Sequence, residues 1–242
     1  MTAPVLSFLR PLGAIVLIDL TLSGDNAVVI GMAAHRLPEH QRRTAITIGA
    51  GLAVVLRVAL TAVAAWLLSV PFLKLGGGLL LAWVAFKLLK EEEEAYEGSG
   101  GSETLGEAVQ TIVIADFVMS LDNILSVAAA AGDSTTLLIF GLALSMAIMM
   151  FAGSLVAKTL DRFWWLAYAG SAVIAWIAGE MVLTDSYAGL HLEKLGIVAP
   201  HAGAHVGAHA FEPTAVGWII VSVFAALVVS GAHLFHRRNT AG

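Results

Sequence analysis

Two apolar stretches of this chain carry the same polar signature. Asp19, Ser23, Asp25 and Asn26 recur as Asp116, Ser120, Asp122 and Asn123, the pattern D-x-x-x-S-x-D-N at a separation of 97 residues. A weaker echo relates Gly77 to Gly170, Trp83 to Trp176 and Lys87 to Glu180, at a separation of 93. The surroundings are oily: 58% of the 242 residues are hydrophobic and 13% charged, far from the quarter or so charged of a soluble domain. With a mean hydropathy of +0.85, the chain can supply roughly seven apolar helices of about 20 residues. An ordinary water-soluble globule is excluded, and an all-α, polytopic membrane protein is expected.

The predicted spans are Leu12–Ala34, Ala45–Ser69, Pro71–Leu89, Glu107–Ala130, Thr135–Ala157, Phe163–Thr184 and Ala215–Phe235. They divide the chain into a first three-helix repeat (1–90), an acidic Gly/Ser linker (91–106), a second three-helix repeat (107–184), a histidine-containing loop (185–214), and a seventh helix with a basic tail (215–242). Three crossings is an odd number, so the second repeat enters from the opposite side of the bilayer and is inverted. Arg36, Arg42, Arg43, Lys87, Lys90, Lys158, Arg162, Arg237 and Arg238 fall on one side; Arg10, Lys74 and Lys194 fall on the other. The positive-inside rule then puts the N-terminus outside and the C-terminus in the cytoplasm, with the chain in a cell's inner membrane. The first span holds Asp19 and Asp25 and lacks a small-residue cleavage site, so it reads as retained and not as a signal peptide.

The inverted arrangement brings the two motif segments together near the bilayer midplane. On a regular helix Asp19, Ser23 and Asn26 share a face while Asp25 is turned away. A break at Gly24 would let Asp25 approach them; its counterpart is Leu121, so the two halves need not bend alike. One carboxylate at a span's centre costs about 2.5 to 3.5 kcal/mol, and four need compensation. Arg57, deep in the second span, is a candidate counter-ion or gate. It cannot neutralise four acids, and the rest is left to protons or a bound dication.

Carboxylate, amide and hydroxyl oxygens suit a hard cation such as magnesium, calcium or manganese. The chain has no cysteine, which removes disulfides and thiolate ligands, and a net charge of −5 with no basic surface leaves no nucleic-acid partner. Met146, Met149 and Met150 read as packing, Glu91–Glu94 as a solvated linker, and His201, His205 and His209 as a loop of weak metal affinity.

The paired motif resembles that of the TerC family of integral membrane proteins, in spacing most like its YjbE-type branch within the wider lysine-exporter superfamily. The resemblance runs from Leu12 to about Thr184. It implies a non-enzymatic transporter with inverted three-helix repeats that exports manganese, with Asp19, Asp25, Asp116 and Asp122 as site acids and Asn26 and Asn123 beside them. No permanent cofactor is expected; the bilayer, the metal ion and protons are the partners. Outward movement of a dication against an inside-negative potential costs about 4.6 kcal/mol per 100 mV, so export needs coupling, and two entering protons cancel the electrical term. Three competing readings are a non-transporting metal sensor or scaffold, an exporter of a small organic substrate such as an amino acid, and an intramembrane aspartyl protease. The last lacks its G-x-G-D signature, since Leu22 stands where the first glycine belongs.

Overall fold

A computed structural model describes residues 3–63, 67, 70–96, 104–131, 135–200 and 211–240, with the backbone alone described at 3–10, 94–96, 122–131, 135 and 235–240. Its helices are α1 (Ala3–Leu22), α2 (Asn26–His35), α3 (Glu39–Ala62), α4 (Leu73–Tyr96), α5 (Leu105–Ala131), α6 (Thr135–Leu160), α7 (Leu166–Leu183), α8 (Ser186–Glu193) and α9 (Ala215–Thr240). Strands β1 (Val198–Pro200) and β2 (Phe211–Pro213) form one antiparallel pair.

The expected first span is two helices. Ser23, Gly24 and Asp25 fall between the two helices, and the segments Pro11–Leu22 and Asn26–His35 meet at a bend of 62°. The second motif segment does not break: α5 runs through Leu121 to Ala131. Glycine costs a helix roughly 1 kcal/mol where leucine costs little, and that difference alone separates the two motif sequences at this position.

Other boundaries follow from local chemistry. Thr104 and Glu107 form a capping box, with Glu107 Oε2 accepting from Thr104 N at 2.9 Å and Thr104 Oγ1 accepting from Glu107 N at 3.3 Å, so α5 starts slightly before the expected Glu107. Helix α4 runs past the expected Leu89 to Tyr96. Lys and Glu are good helix formers, and Lys87 pairs with Glu91 one turn on at 3.6 Å. The acidic run therefore begins as helix, not as linker. Among the described residues four helices are long and apolar enough to cross a membrane, or five if the bent pair is one span. Helix α4 is more highly charged, carrying Lys74, Lys87, Lys90 and Glu91–Glu94. The chain is thus a multi-pass, all-α membrane protein, and the described residues account for four or five of the seven crossings expected. Outward-facing side chains agree with a lipid environment: Leu17, Val55 and Phe151 are 67%, 67% and 74% exposed.

The chain forms two compact units, each drawing on both halves of the sequence. One holds Met1–Ala65 and Ser102–Trp164, the other Trp66–Gly101 and Trp165–Gly242. In the first, α3 packs on α5 while α6 packs on α1 and α2. The helix following each motif thus leans on the motif helix of the other half, a reciprocal exchange. Small residues permit the approach: a Cβ on Gly31 would lie 2.5 Å from Val156 Cγ1, and one on Gly153 2.5 Å from Ile30 Cγ2.

In the second unit α4, α7 and α9 pack together. A Cβ on Gly78 would come within 2.6 Å of the Ala178 carbonyl oxygen, and Ser171 Oγ donates to Ala85 O at 3.0 Å. Buried Glu93 accepts from Tyr168 Oη and lies 2.9 Å from His233 Nδ1, so one carboxylate of the acidic run joins the three helices. The expected loop 185–214 contains structure: Asp185 caps α8, and Val198 and Phe211 pack with Leu183 and Val221. His201, His205 and His209 lie outside the described residues.

Candidate functional site

The first unit encloses a buried cluster built from both motifs. Asp19 comes from the last turn of α1, Ser23 from the break, Asn26 from the first turn of α2, Arg57 from α3, Asp116 and Ser120 from α5, and Ser145 from α6. All seven are buried, with Asp19, Arg57 and Asp116 at 1%, 3% and 4% exposure. Arg57 lies between the two acids. Its Nη1 donates to Asp19 Oδ1 and its Nη2 to Asp116 Oδ1 at 2.5 Å, with a longer contact of 3.4 Å from Nη1 to Ser23 Oγ.

Each motif serine supports its own acid one turn earlier. Ser23 Oγ donates to Asp19 Oδ1 at 3.5 Å and Ser120 Oγ to Asp116 Oδ2 at 3.3 Å, which is what the D-x-x-x-S spacing allows on a helix. Two further donors break the symmetry. Asn26 Nδ2 donates to Asp116 Oδ1 at 2.9 Å across the repeat, and Ser145 donates to Asp19 Oδ2. The asparagine bond fixes the amide's orientation and leaves its carbonyl oxygen, Oδ1, buried without a partner among the described residues, as is Arg57 Nε. A cavity of about 10 Å³, barely one water, is lined by Asn26, Asp116 and Met146 among others.

With both acids ionised, two carboxylates face one guanidinium and the cluster carries one excess negative charge. Such a group is costly to desolvate, and breaking it by removing one partner is costlier than never having built it. The break in the first motif adds a helix N-terminus beside the cluster, an arrangement that favours ions in discontinuous membrane helices.

The structure therefore brings together Asp19, Asp116, Ser23, Ser120, Asn26 and Arg57. Asp25 makes no hydrogen bond to the acid pair among the described residues, though it lies within electrostatic reach of Arg57 and Asp116: it is half-buried and caps α2, accepting from Asn26 N at 3.0 Å. The break expected to let Asp25 approach the other motif residues also places it where a new helix needs a cap. The side chains of Asp122 and Asn123 lie outside the described residues. Among the described residues no three acidic or histidine side chains stand close enough to hold a metal ion. Ser145 is the member of the cluster that sequence reasoning misses, because a single serine in an apolar span has no distinguishing pattern. The contact of Met146 with the cavity beside Asp116 gives one methionine of its cluster a place at the site's wall.

A profile of the integral membrane protein TerC family matches residues 6–240. The uncharacterized membrane protein YjbE of Bacillus subtilis is 40% identical over 191 residues, 79% of this chain and 87% of the relative. The UPF0053 inner membrane protein YgdQ of Escherichia coli K12 is 30% identical over 169 residues, 62% of this chain and 70% of the relative. The uncharacterized membrane protein YceF of Bacillus subtilis is 28% identical over 179 residues, 70% of this chain and 69% of the relative. No solved structure matches significantly.

Proposed function

The chain belongs to the TerC family of integral membrane proteins, and from that premise we propose that it exports a divalent cation, manganese first, in exchange for protons through the Asp19–Arg57–Asp116 cluster. One observation carries this reading: the two acids that lead the repeated motifs meet, buried, on a single guanidinium. Two carboxylates held apart by a removable cation form a site whose charge matches a dication. With Arg57 between them the local charge is one negative; with a dication in its place it is zero. Arg57 thus acts as the resident counter-ion of the pair between transport events, and its withdrawal opens the site.

The donor set suits a hard ion. Once Arg57 leaves, Asp19 and Asp116 supply carboxylate oxygens, Ser23, Ser120 and Ser145 supply hydroxyls, and Asn26 Oδ1 is a buried oxygen that lacks a hydrogen-bond donor among the described residues. Asp25, half-buried at the break, is a further ligand or proton carrier, and Asp122 takes the same role by its place in the repeated motif. Protons supply the coupling, because an emptied carboxylate pair without its guanidinium is stabilised by binding them. The basic side of the fold faces the cytoplasm, the N-terminus lies outside, and the chain crosses the membrane seven times with its second repeat inverted. The reciprocal packing of α3 on α5 and α6 on α1 and α2 supports that inversion.

The test is manganese content of cells challenged with manganese while expressing wild type, Asp19→Asn, Asp116→Asn, Asp25→Asn or Asp122→Asn at matched membrane levels. Wild type lowers intracellular manganese, and Asp19→Asn and Asp116→Asn do not. Equal manganese in all strains overturns the export reading.

A further inference from the structure

A groove of about 560 Å³ runs along the first unit between α3 and α6, apart from the buried cluster. Helix α3 begins where α6 ends, so the groove has one charged end and one oily end. Arg43 and Lys158 stand at the charged end; Ile46, Thr47, Met150 and Phe151 line the rest. From Lys158 to Phe151 is two turns of helix, about 10 Å along the axis.

The charges at the mouth do not cancel. Arg42 is held by Asp161 through two hydrogen bonds of 2.6 and 3.0 Å, and its Nε donates to Leu37 O at 2.9 Å, so this pair is neutral and fixed. Glu39, one turn before Arg43 in the first turn of α3, is the other acid of the lining, so the mouth as a whole carries one excess positive charge. Arg43 and Lys158 are exposed and make no hydrogen bond or ion pair among the described residues. Two free cations therefore sit above an apolar trough whose wall includes Phe151, 74% exposed. Both flanking helices are apolar enough to cross a membrane, so the medium over the trough is acyl chain and the medium over the cations is headgroup.

We propose that this groove binds one anionic phospholipid, its phosphate between Arg43 and Lys158 and an acyl chain along Ile46, Met150 and Phe151. Neither half of the site explains the other without such a ligand. A free anion would leave the trough unfilled, and a zwitterionic lipid would bring an ammonium group to two cations. Basic pockets between membrane helices at the headgroup level are suited to this chemistry.

The experiment is native mass spectrometry of the full-length protein, delipidated and titrated with phosphatidylglycerol, phosphatidylcholine or soluble glycerol 3-phosphate. Wild type is expected to hold one phosphatidylglycerol in preference to phosphatidylcholine and to ignore glycerol 3-phosphate. Each basic residue near a membrane surface contributes about fivefold, so Arg43→Gln/Lys158→Gln weakens phosphatidylglycerol binding about 30-fold. Thr47→Trp, which fills the trough with charge intact, removes the bound lipid as well. Arg162→Gln deletes a basic charge outside the groove and leaves the affinity within about twofold. Retention within threefold by both the double variant and Thr47→Trp overturns the proposal. So does glycerol 3-phosphate binding as tightly as the lipid, which would make the mouth a free-phosphate site. Occupation of the groove by a second copy of the chain, seen as a dimer that phosphatidylglycerol fails to dissociate, also overturns it. None of these readouts depends on metal transport.

Discussion

Replacing Arg57 with methionine keeps most of the side chain's volume and deletes the guanidinium that Asp19 and Asp116 share. Both acids are then left buried, at 1% and 4% exposure, with serine and asparagine donors but no opposite charge. Removing one partner from a buried ionic group costs about 3 to 5 kcal/mol. For a chain of this size, each kcal/mol moves the melting temperature by about 2 to 4 °C, so the variant should melt roughly 6 to 20 °C below wild type. The opposite perturbation behaves differently. Because two acids face one guanidinium, Asp19→Asn or Asp116→Asn removes the excess negative charge and leaves a one-to-one pair, so either changes stability by less than about 1 kcal/mol. The triple variant Arg57→Met/Asp19→Asn/Asp116→Asn recovers at least half of the loss. The assay is thermal unfolding in detergent followed by the fluorescence of the six tryptophans. An Arg57→Met cost under about 1 kcal/mol, or single acid-to-amide variants as damaging as the arginine variant, would mean that the two acids do not share the guanidinium as their counter-ion.

Three further expectations concern the scaffold. Gly31→Ala places a Cβ 2.5 Å from Val156 Cγ1 and 3.0 Å from the Gly153 carbonyl, and should cost about 1 to 3 kcal/mol, whereas Gly51→Ala meets nothing within 4 Å and should stabilise by up to about 1 kcal/mol; chemical denaturation of the two proteins gives the comparison. Asp185 caps α8 by accepting from Tyr187 N and Ala188 N, both at 3.0 Å, and also accepts from Leu75 N at 3.2 Å; Asp185→Ala should cost about 1 to 2 kcal/mol and speed amide exchange at Leu75, and unchanged exchange there contradicts the assignment. Arg42 holds the Asp161 carboxyl below its ordinary value near 3.8, principally by hydrogen bonding. A lowered carboxylate stabilises the fold above its unfolded value and loses that contribution as pH falls through the folded one; melting of wild type and Asp161→Asn, less than about 1 kcal/mol apart near neutrality because the pair is exposed, should therefore converge below about pH 4.

The doubled D-x-x-x-S-x-D-N pattern makes the principal acids legible in the sequence alone, since charged residues in apolar spans demand partners and a repeat shows which ones correspond. Gly24 against Leu121 marks where one half bends and the other does not. Arg57 is visible as an anomalous charge. That it lies between Asp19 and Asp116 is not, because which helix turns toward which acid is decided by the close packing of α3 on α5 and of α6 on α1 and α2. Ser145 is invisible for the same reason, being one serine in an apolar helix with no echo in the other half. Asp25 meets two demands. Periodicity locates it off the shared face and Gly24 announces the break, yet a residue that precedes a new helix is drawn to cap it, and this local demand is met first. Glu93 belongs to a run that reads as solvated linker; its burial against Tyr168 and His233 depends on residues 75 and 140 positions away.

Exchange of a dication for protons at the carboxylate pair is read from manganese flux in proteoliposomes of purified protein under an imposed pH gradient. Wild type should move manganese against the proton flow, collapsing the pH gradient should stop net movement, and Asp116→Asn should be inactive while still folded. Manganese movement equal in wild-type, Asp116→Asn and protein-free vesicles would contradict it.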